Sequence, residues 1–373
     1  MDRKLAFVSV INDLATDQRV HKSCLSLGKC GFDVVLIGRR LHNSIAMPSR
    51  TYRCIRMRLL FERGPMFYME YNIRLFLFLL FQPSKLLLSN DLDTLLPNYL
   101  VSKIRNVPMI YDSHEYFTET PELVNRPHIQ RIWKIIEKFV LKRLTWIITV
   151  NESIEMLFEN KYGIKAHVIR NIPSRWEPVS PRSRAELGLP VDRKILLMQG
   201  SGINMHRGAE ELVDAMTGLP EMLLLIIGGG DVLPVLKSKV EQQGLTDRVR
   251  FLPRMPYEQM MEYTAVADLG FTLDKDTNIN YRFSLPNKLF DYIQAGTPVM
   301  ATPLPEIKRI VDRYQVGCFA ENHQPDYLSE RIRESLQNTV QMEKWRENCK
   351  FAAAELCWEN EEKNLLKLYE PYC

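Results

Sequence analysis

Lys288 and Asp291 stand three residues apart behind Pro286, in a stretch that opens with Ser284 and Leu285 and stops at Gly296 before the apolar Val299. Proline presets the first turn of a helix, and a spacing of three puts both charged side chains on one face. The start of a helix collects unpaired N–H groups and partial positive charge, which suits phosphate oxygens. Lysine adds a full charge there. A carboxylate one turn further in can accept hydrogen bonds from ribose hydroxyls. This combination would bind a nucleoside diphosphate. A capped helix carrying Lys288 and Asp291 as a surface ion pair is the other reading, and spacing alone does not choose between them.

Further candidates follow other strand-like runs. Gln199, Gly200, Ser201, Gly202, Ile203 and Asn204 lead through Arg207 and Gly208 into a helical stretch. Gly200 and Gly202 allow close backbone approach, and Arg207 at a helix start can hold phosphate oxygens in a fork. Gly228, Gly229, Gly230 and Asp231 supply a second flexible turn. In the first half, His114 stands among Asp112, Ser113 and Glu115. An imidazole there can donate to a substrate hydroxyl or share a proton near neutral pH; a turn histidine satisfied by backbone is the alternative. Asp91 and Asp93 could position a sugar hydroxyl or hold a metal, and helix capping explains them equally well. Arg19 could face a ligand. Thr16 or Asp17 as the cap of the next helix is the favoured reading of that loop, which lacks the glycines of a dinucleotide fingerprint.

Composition narrows the class. The 373 residues are 46% hydrophobic and 25% charged, with a net charge of +4 and no long basic run of the kind that tracks nucleic acid. Seven cysteines, at 24, 30, 54, 318, 349, 357 and 373, form no CxxC pair, so reduced thiols in a cytoplasmic protein are expected and no metal site is. Residues 1–4 pass directly into a strand-like run with no h-region and cleavage site following, so export is not expected. The apolar run at 75–81 is too short to cross a bilayer, which needs about 20 residues. A buried helix before a strand is the favoured reading. Peripheral contact with the inner face of a membrane is the alternative, because Arg53, Arg56, Arg58, Arg63 and Arg74 lie nearby.

These residues need elements to hold them. Strand-like runs recur at 5–10, 32–37, 85–89, 108–111, 146–150 and 167–169, then at 194–198, 222–227, 249–252, 269–272 and 298–301, with helical patterns between most of them. That alternation implies parallel sheets covered by helices on both faces. The expected fold is α/β, with two doubly wound Rossmann-like domains facing a central cleft. Their bounds are 1–172, a proline-rich linker at 173–190, 191–355, and a terminal helix at 356–373 crossing back to the first domain. Ligands in such sheets bind at the carboxyl ends of the strands.

Taken together, the chain resembles the GT-B fold glycosyltransferases of family 4, the retaining group that uses nucleotide sugars. The resemblance rests on Asn12 and Asp13 with Thr16, Asp17, Gln18, Arg19 and Val20, on Asn90 to Thr94, on Asp112 to Glu115, on Gln199 to Asn204 with Arg207 and Gly208, on the triple glycine, and on Pro286 to Tyr292. It implies that Arg207 and Lys288 bind the donor diphosphate, helped by backbone N–H groups near Ser284 and Leu285. Asp291 would contact the donor ribose, and Gly200, Gly202, Gly229 and Gly230 would lie near the nucleotide. His114 would stand near the donor sugar, with Arg19, Asp91, Asp93 and Glu115 on the acceptor side.

Three departures stand out. Phe283 occupies the place of the family's first glutamate, Ser201 that of an arginine, and the glycine-rich loop after the first strand is missing. The implied activity is metal-independent transfer of a glycosyl group, with retention, from a nucleoside diphosphate sugar to a glycan or lipid-linked acceptor in surface polysaccharide or glycoconjugate synthesis. The donor is a substrate, and no cofactor is implied. A sugar-nucleotide 2-epimerase and a catalytically weak nucleotide-sugar-binding scaffold are the alternatives.

Overall fold

The computed structural model describes residues 4–15, 17–42, 44, 46–178 and 180–373. They form two compact units, one of residues Met1–Asn171 with Glu361–Cys373 and the other of Ile172–Asn360.

The first unit holds a parallel sheet of β1 (Leu5–Asp13), β2 (Asp33–Arg40), β3 (Arg53–Arg58), β4 (Leu86–Asn90), β5 (Met109–Asp112), β6 (Trp146–Thr149) and β7 (Lys165–Val168), in the order β3-β2-β1-β4-β5-β6-β7. β3 went unpredicted because its sequence, Arg53 to Arg58, alternates arginine with apolar residues and pairs only with β2 at the sheet edge. The central strands are buried on both faces, as parallel strands covered by helices must be.

The 75–81 run belongs to a longer helix, Gly64–Leu80. Its stripe of Phe67, Tyr71, Leu75 and Leu79 packs on Phe7, Ile11, Val35, Ile37 and Leu87 of the sheet. The expectation of a buried helix therefore holds for one stripe alone. The opposite stripe, equally apolar, is exposed. Asp17 caps the helix Gln18–Lys29 by accepting from the Val20 N–H at 3.1 Å; Thr16 lies outside the described residues. In the C-terminal segment, Glu362 accepts from Ser26 Oγ at 2.8 Å and Lys29 Nζ at 2.6 Å, while Glu361 accepts from Arg170.

The second unit repeats the theme with β8 (Lys194–Gly200), β9 (Met222–Gly228), β10 (Val249–Leu252), β11 (Leu269–Thr272), β12 (Val299–Ala301) and β13 (Gly317–Phe319), all parallel, in the order β10-β9-β8-β11-β12-β13. Alternation along β8 and β9 splits the core. Leu196, Met198, Leu224 and Ile226 face one helix layer, and Ile195, Leu197, Leu223 and Leu225 face the other. The sheet order reverses between β8 and β11, so the loops that follow those two strands flank the switch point where ligands bind in such folds.

Candidate functional site

In the second unit, Arg207 comes from the loop after β8 and Asp274 from the loop after β11. Arg207 Nη1 lies 2.6 Å from Asp274 Oδ1, and its guanidinium stacks over the Tyr281 ring at 4.6 Å. Lys288 Nζ lies 3.7 Å from Asp274 Oδ2. Thr272 Oγ1 donates to the same carboxylate at 3.0 Å. Asp274 is fully buried. Burial pushes its carboxyl up, but Lys288 and Arg207 outweigh that and hold it below the usual carboxylate range. Burial pulls the Lys288 ammonium down, against the attraction of Asp274. Two cations against one carboxylate leave a positive excess.

That excess sits at the start of the helix Asn287–Ala295, whose N-cap is Pro286, without a side-chain cap. Gly208 sets the turn behind Arg207. Its φ of 78° is left-handed, and a Cβ there would lie 2.3 Å from Leu273 Cβ. The glycine turn after β9 has a packing role as well: a Cβ on Gly228 would lie 1.9 Å from the Gly200 carbonyl oxygen, and Gly229 N–H donates to that oxygen at 3.1 Å. Gly230 is likewise pressed against the Ile203 carbonyl, whereas Gly202 is uncrowded.

Asp291 is buried and is no surface partner of Lys288. It accepts from Tyr257 Oη at 3.0 Å and lies 3.5 Å from Gln199 Nε2. The Ser284 N–H, expected to assist a phosphate, instead donates to the Tyr281 carbonyl at 3.1 Å and closes the preceding short helix. Leu285 packs against the core. Sequence reasoning missed Asp274 and Tyr257, although an acid directly after a strand run was a signal already used for Asp91 and Asp112. It also missed Arg254, whose guanidinium crosses Gly229 and donates to the Ser201 carbonyl at 2.6 Å. A cation thus stands beside Ser201.

In the first unit, Asp91, Asp112 and His114 come together at the ends of β4 and β5. His114 Nδ1 lies 3.2 Å from Asp91, and Nε2 lies 3.1 Å from Asn90 Oδ1 and 3.5 Å from Asp112. Burial pulls the imidazole down, but Asp91 and Asp112 overcome it and push it up to about 10. This corrects the expectation of proton sharing near neutral pH: His114 is a fixed imidazolium with both nitrogens engaged. Asp91 also accepts from the His114 N–H at 2.9 Å, from a backbone with φ 58° that few non-glycine residues adopt.

Two acceptor-side expectations are corrected too. Arg19 is buried, and its guanidinium is committed to Asp112 at 2.6 Å and the Ile169 carbonyl at 2.9 Å. Asp93 is buried in the first turn of the helix Leu92–Arg105, facing away from a ligand; burial first, then Asp91 and Glu115, push its carboxyl well up. Glu115 stays partly exposed beside His114. Among the described residues, no group of three or more His, Cys, Asp or Glu is placed to hold a metal ion.

Residues 179–351 match the protein family described as Glycosyl transferases group 1. A curated relative, the D-inositol 3-phosphate glycosyltransferase of Jonesia denitrificans, is 26% identical over 198 residues, covering 50% of this chain and 45% of that one. The chain spans about half the length of the curated relatives it matches. Among solved structures, the sucrose-phosphate synthase of Thermosynechococcus elongatus superposes with a TM-score of 0.81 at 18% identity, over 99% of both chains. The Anabaena protein HepE, in complex with UDP-glucose, gives 0.75 at 13% identity, over 98% of this chain and 99% of its own. The chain therefore has the two-unit fold of these proteins.

Proposed function

We propose that this chain, whose residues 179–351 match the family described as Glycosyl transferases group 1, transfers a glycosyl group from a nucleoside diphosphate sugar to a glycan or lipid-linked acceptor, with retention of anomeric configuration. One observation carries the reading. Arg207 and Lys288 converge on Asp274 with positive charge to spare, beside a helix start without a side-chain cap. Such a site suits a diphosphate, and a neighbour of the same fold was solved with UDP-glucose.

The bond from C1 to the diphosphate oxygen breaks, and its electron pair leaves with the phosphate. The acceptor hydroxyl forms the new C1–O bond from the same face, and its proton passes to the departing phosphate oxygen. Charge builds on that oxygen, so preorganised cations lower the barrier most there. Arg207 and Lys288 take this task, and Arg254 adds a guanidinium over Gly229 near the place of the absent arginine. In the family's pattern the second glutamate meets the ribose; here Asp291 with Tyr257 would present that edge. His114, held as an imidazolium, offers fixed positive charge rather than acid–base exchange.

The test is thermal stability and calorimetric titration against UDP, GDP, ADP and their sugar conjugates, for wild type, Arg207→Ala and Lys288→Ala. One nucleotide should raise the melting temperature of the wild type and not of the variants. Release of that diphosphate only when an acceptor is added distinguishes a transferase from an epimerase or a scaffold. A wild type indifferent to every donor overturns the reading.

A further inference from the structure

The first unit carries an apolar outer face that the transferase reading leaves unused. The helix Gly64–Leu80 exposes Met66, Met69, Ile73 and Leu77, a continuous stripe at helical spacing, with Ile73 53% exposed. The segment entering the helix adds Leu60, 82% exposed, and Phe61. Both are held in place, because Glu70 accepts from their backbone N–H groups at 2.9 and 3.0 Å. The helix Leu92–Arg105 packs beside it and exposes Leu100 and Ile104. The helix Pro127–Leu141 packs beside that one in turn, through Tyr99 on Phe139, and exposes Ile132, Ile135 and Phe139. Three neighbouring helices of one layer thus present large apolar side chains outward. Single exposed residues of this kind are ordinary; a face built from three helices is not.

The charge on this face is one-sided. On and just after the three helices its exposed ions are Arg74, Lys103, Arg131, Lys138, Lys142 and Arg143, and Arg143 lies over the Phe139 ring at 4.2 Å; in the entering segment the partly exposed Glu62 is paired with His42 at 2.9 Å. The acidic residues of the three helices are turned away or spent. Asp93 and Glu137 are buried, and Glu70 is bonded to Leu60, Phe61 and Arg74. A second copy would bring like charge against like. We propose that this face docks the protein on the surface of an anionic lipid bilayer, the apolar stripe entering the acyl boundary and the cations meeting the headgroups. No helix among the described residues is long and apolar enough to cross a membrane, so the contact is peripheral. If the acceptor is lipid-linked, the face brings the enzyme to it. The proposal itself rests on the first unit alone, and its test involves no nucleotide.

The experiment is co-sedimentation of the full chain with vesicles of phosphatidylcholine, alone or mixed with phosphatidylglycerol, beside sedimentation velocity of the free protein. The chain should pellet with the anionic vesicles, be released by salt, and remain in solution with the neutral ones. Ile73→Glu and, on a different helix, Ile135→Glu should abolish pelleting with unchanged melting temperature, since both side chains are exposed. Lys138→Ala and Lys142→Ala should each lower partitioning by about fivefold. Equal binding to both vesicle types, or to neither, overturns the proposal. So does a concentration-dependent dimer that Ile73→Glu dissociates in protein that ignores vesicles, which would mean a second copy covers the face.

Discussion

Arg207 and Lys288 share one carboxylate: Arg207 Nη1 lies 2.6 Å from Oδ1 of Asp274, and Lys288 Nζ lies 3.7 Å from its Oδ2. The two cations are thereby held close without a ligand. Asp274→Asn removes the carboxylate that both cations pair with. Breaking a fully buried pair costs about 3–5 kcal/mol; Arg207 reaches solvent, so about 2 kcal/mol is expected here. A nucleoside diphosphate would supply the missing charge, so UDP or its counterpart should raise the melting temperature of Asp274→Asn more than that of wild type. The acid limb should change too. A carboxyl held below its ordinary range adds stability above about pH 4 that disappears as pH falls, and the variant should lack that loss. Thermal melts with and without nucleotide across pH read both effects.

His114 gives the opposite dependence. Its proton is held in the fold up to about pH 10 but leaves the unfolded chain near 6.5. The folded state therefore binds the extra proton between those values, and stability falls as pH rises, with a slope of at most about 1.4 kcal/mol per unit. The contribution is whole below about pH 6.5 and gone above about 10. His114→Gln should flatten that limb in denaturant titrations at several pH values. An unchanged slope would mean that Asp91 and Asp112 do not hold the proton.

Arg19 separates support from catalysis. Its guanidinium is buried against Asp112, with the Ile169 carbonyl as a further acceptor. Arg19→Met leaves Asp112 buried with less compensation and should cost about 3–5 kcal/mol in equilibrium unfolding. Arg207→Ala should lose less stability and far more turnover, on the order of a hundredfold or more, if it stabilises the leaving diphosphate.

Much of this architecture was legible because parallel strands buried on both faces are short apolar runs, and turns and helical patterns bracket them. β3 escaped because Arg53, Arg56 and Arg58 interrupt its pattern at a sheet edge, and β13 because Gly317, Cys318 and Phe319 are too few to form one. At the site, Arg207 and Lys288 were legible from helix-start chemistry. Asp274 is 67 residues from Arg207, and their contact exists only because β8 and β11 are neighbours in the sheet. The roles of Arg19 and Asp93 turned on burial. Strand-end position suggests a ligand-facing residue, but it does not tell which side chains point inward.

Arg254 and Gly229 offer a test that leaves the main cations in place. Arg254 donates to the Ser201 carbonyl from an exposed position, and a Cβ on Gly229 would lie 2.4 Å from its Nε. Arg254→Ala removes a guanidinium beside the glycine loops without emptying the core, so the melting temperature should hold. Charge-assisted hydrogen bonds are worth about 1.5–3 kcal/mol, which sets the expected loss of nucleoside diphosphate affinity at tenfold or more. Gly229→Ala keeps the guanidinium but pushes it aside, because the obstructed atoms belong to a flexible side chain. It should weaken binding by a similar factor. The two changes act on one contact, so the double variant should lose little beyond either single one in calorimetric titrations. Additive losses would mean that Gly229 meets the nucleotide through its own backbone and that Arg254 binds elsewhere.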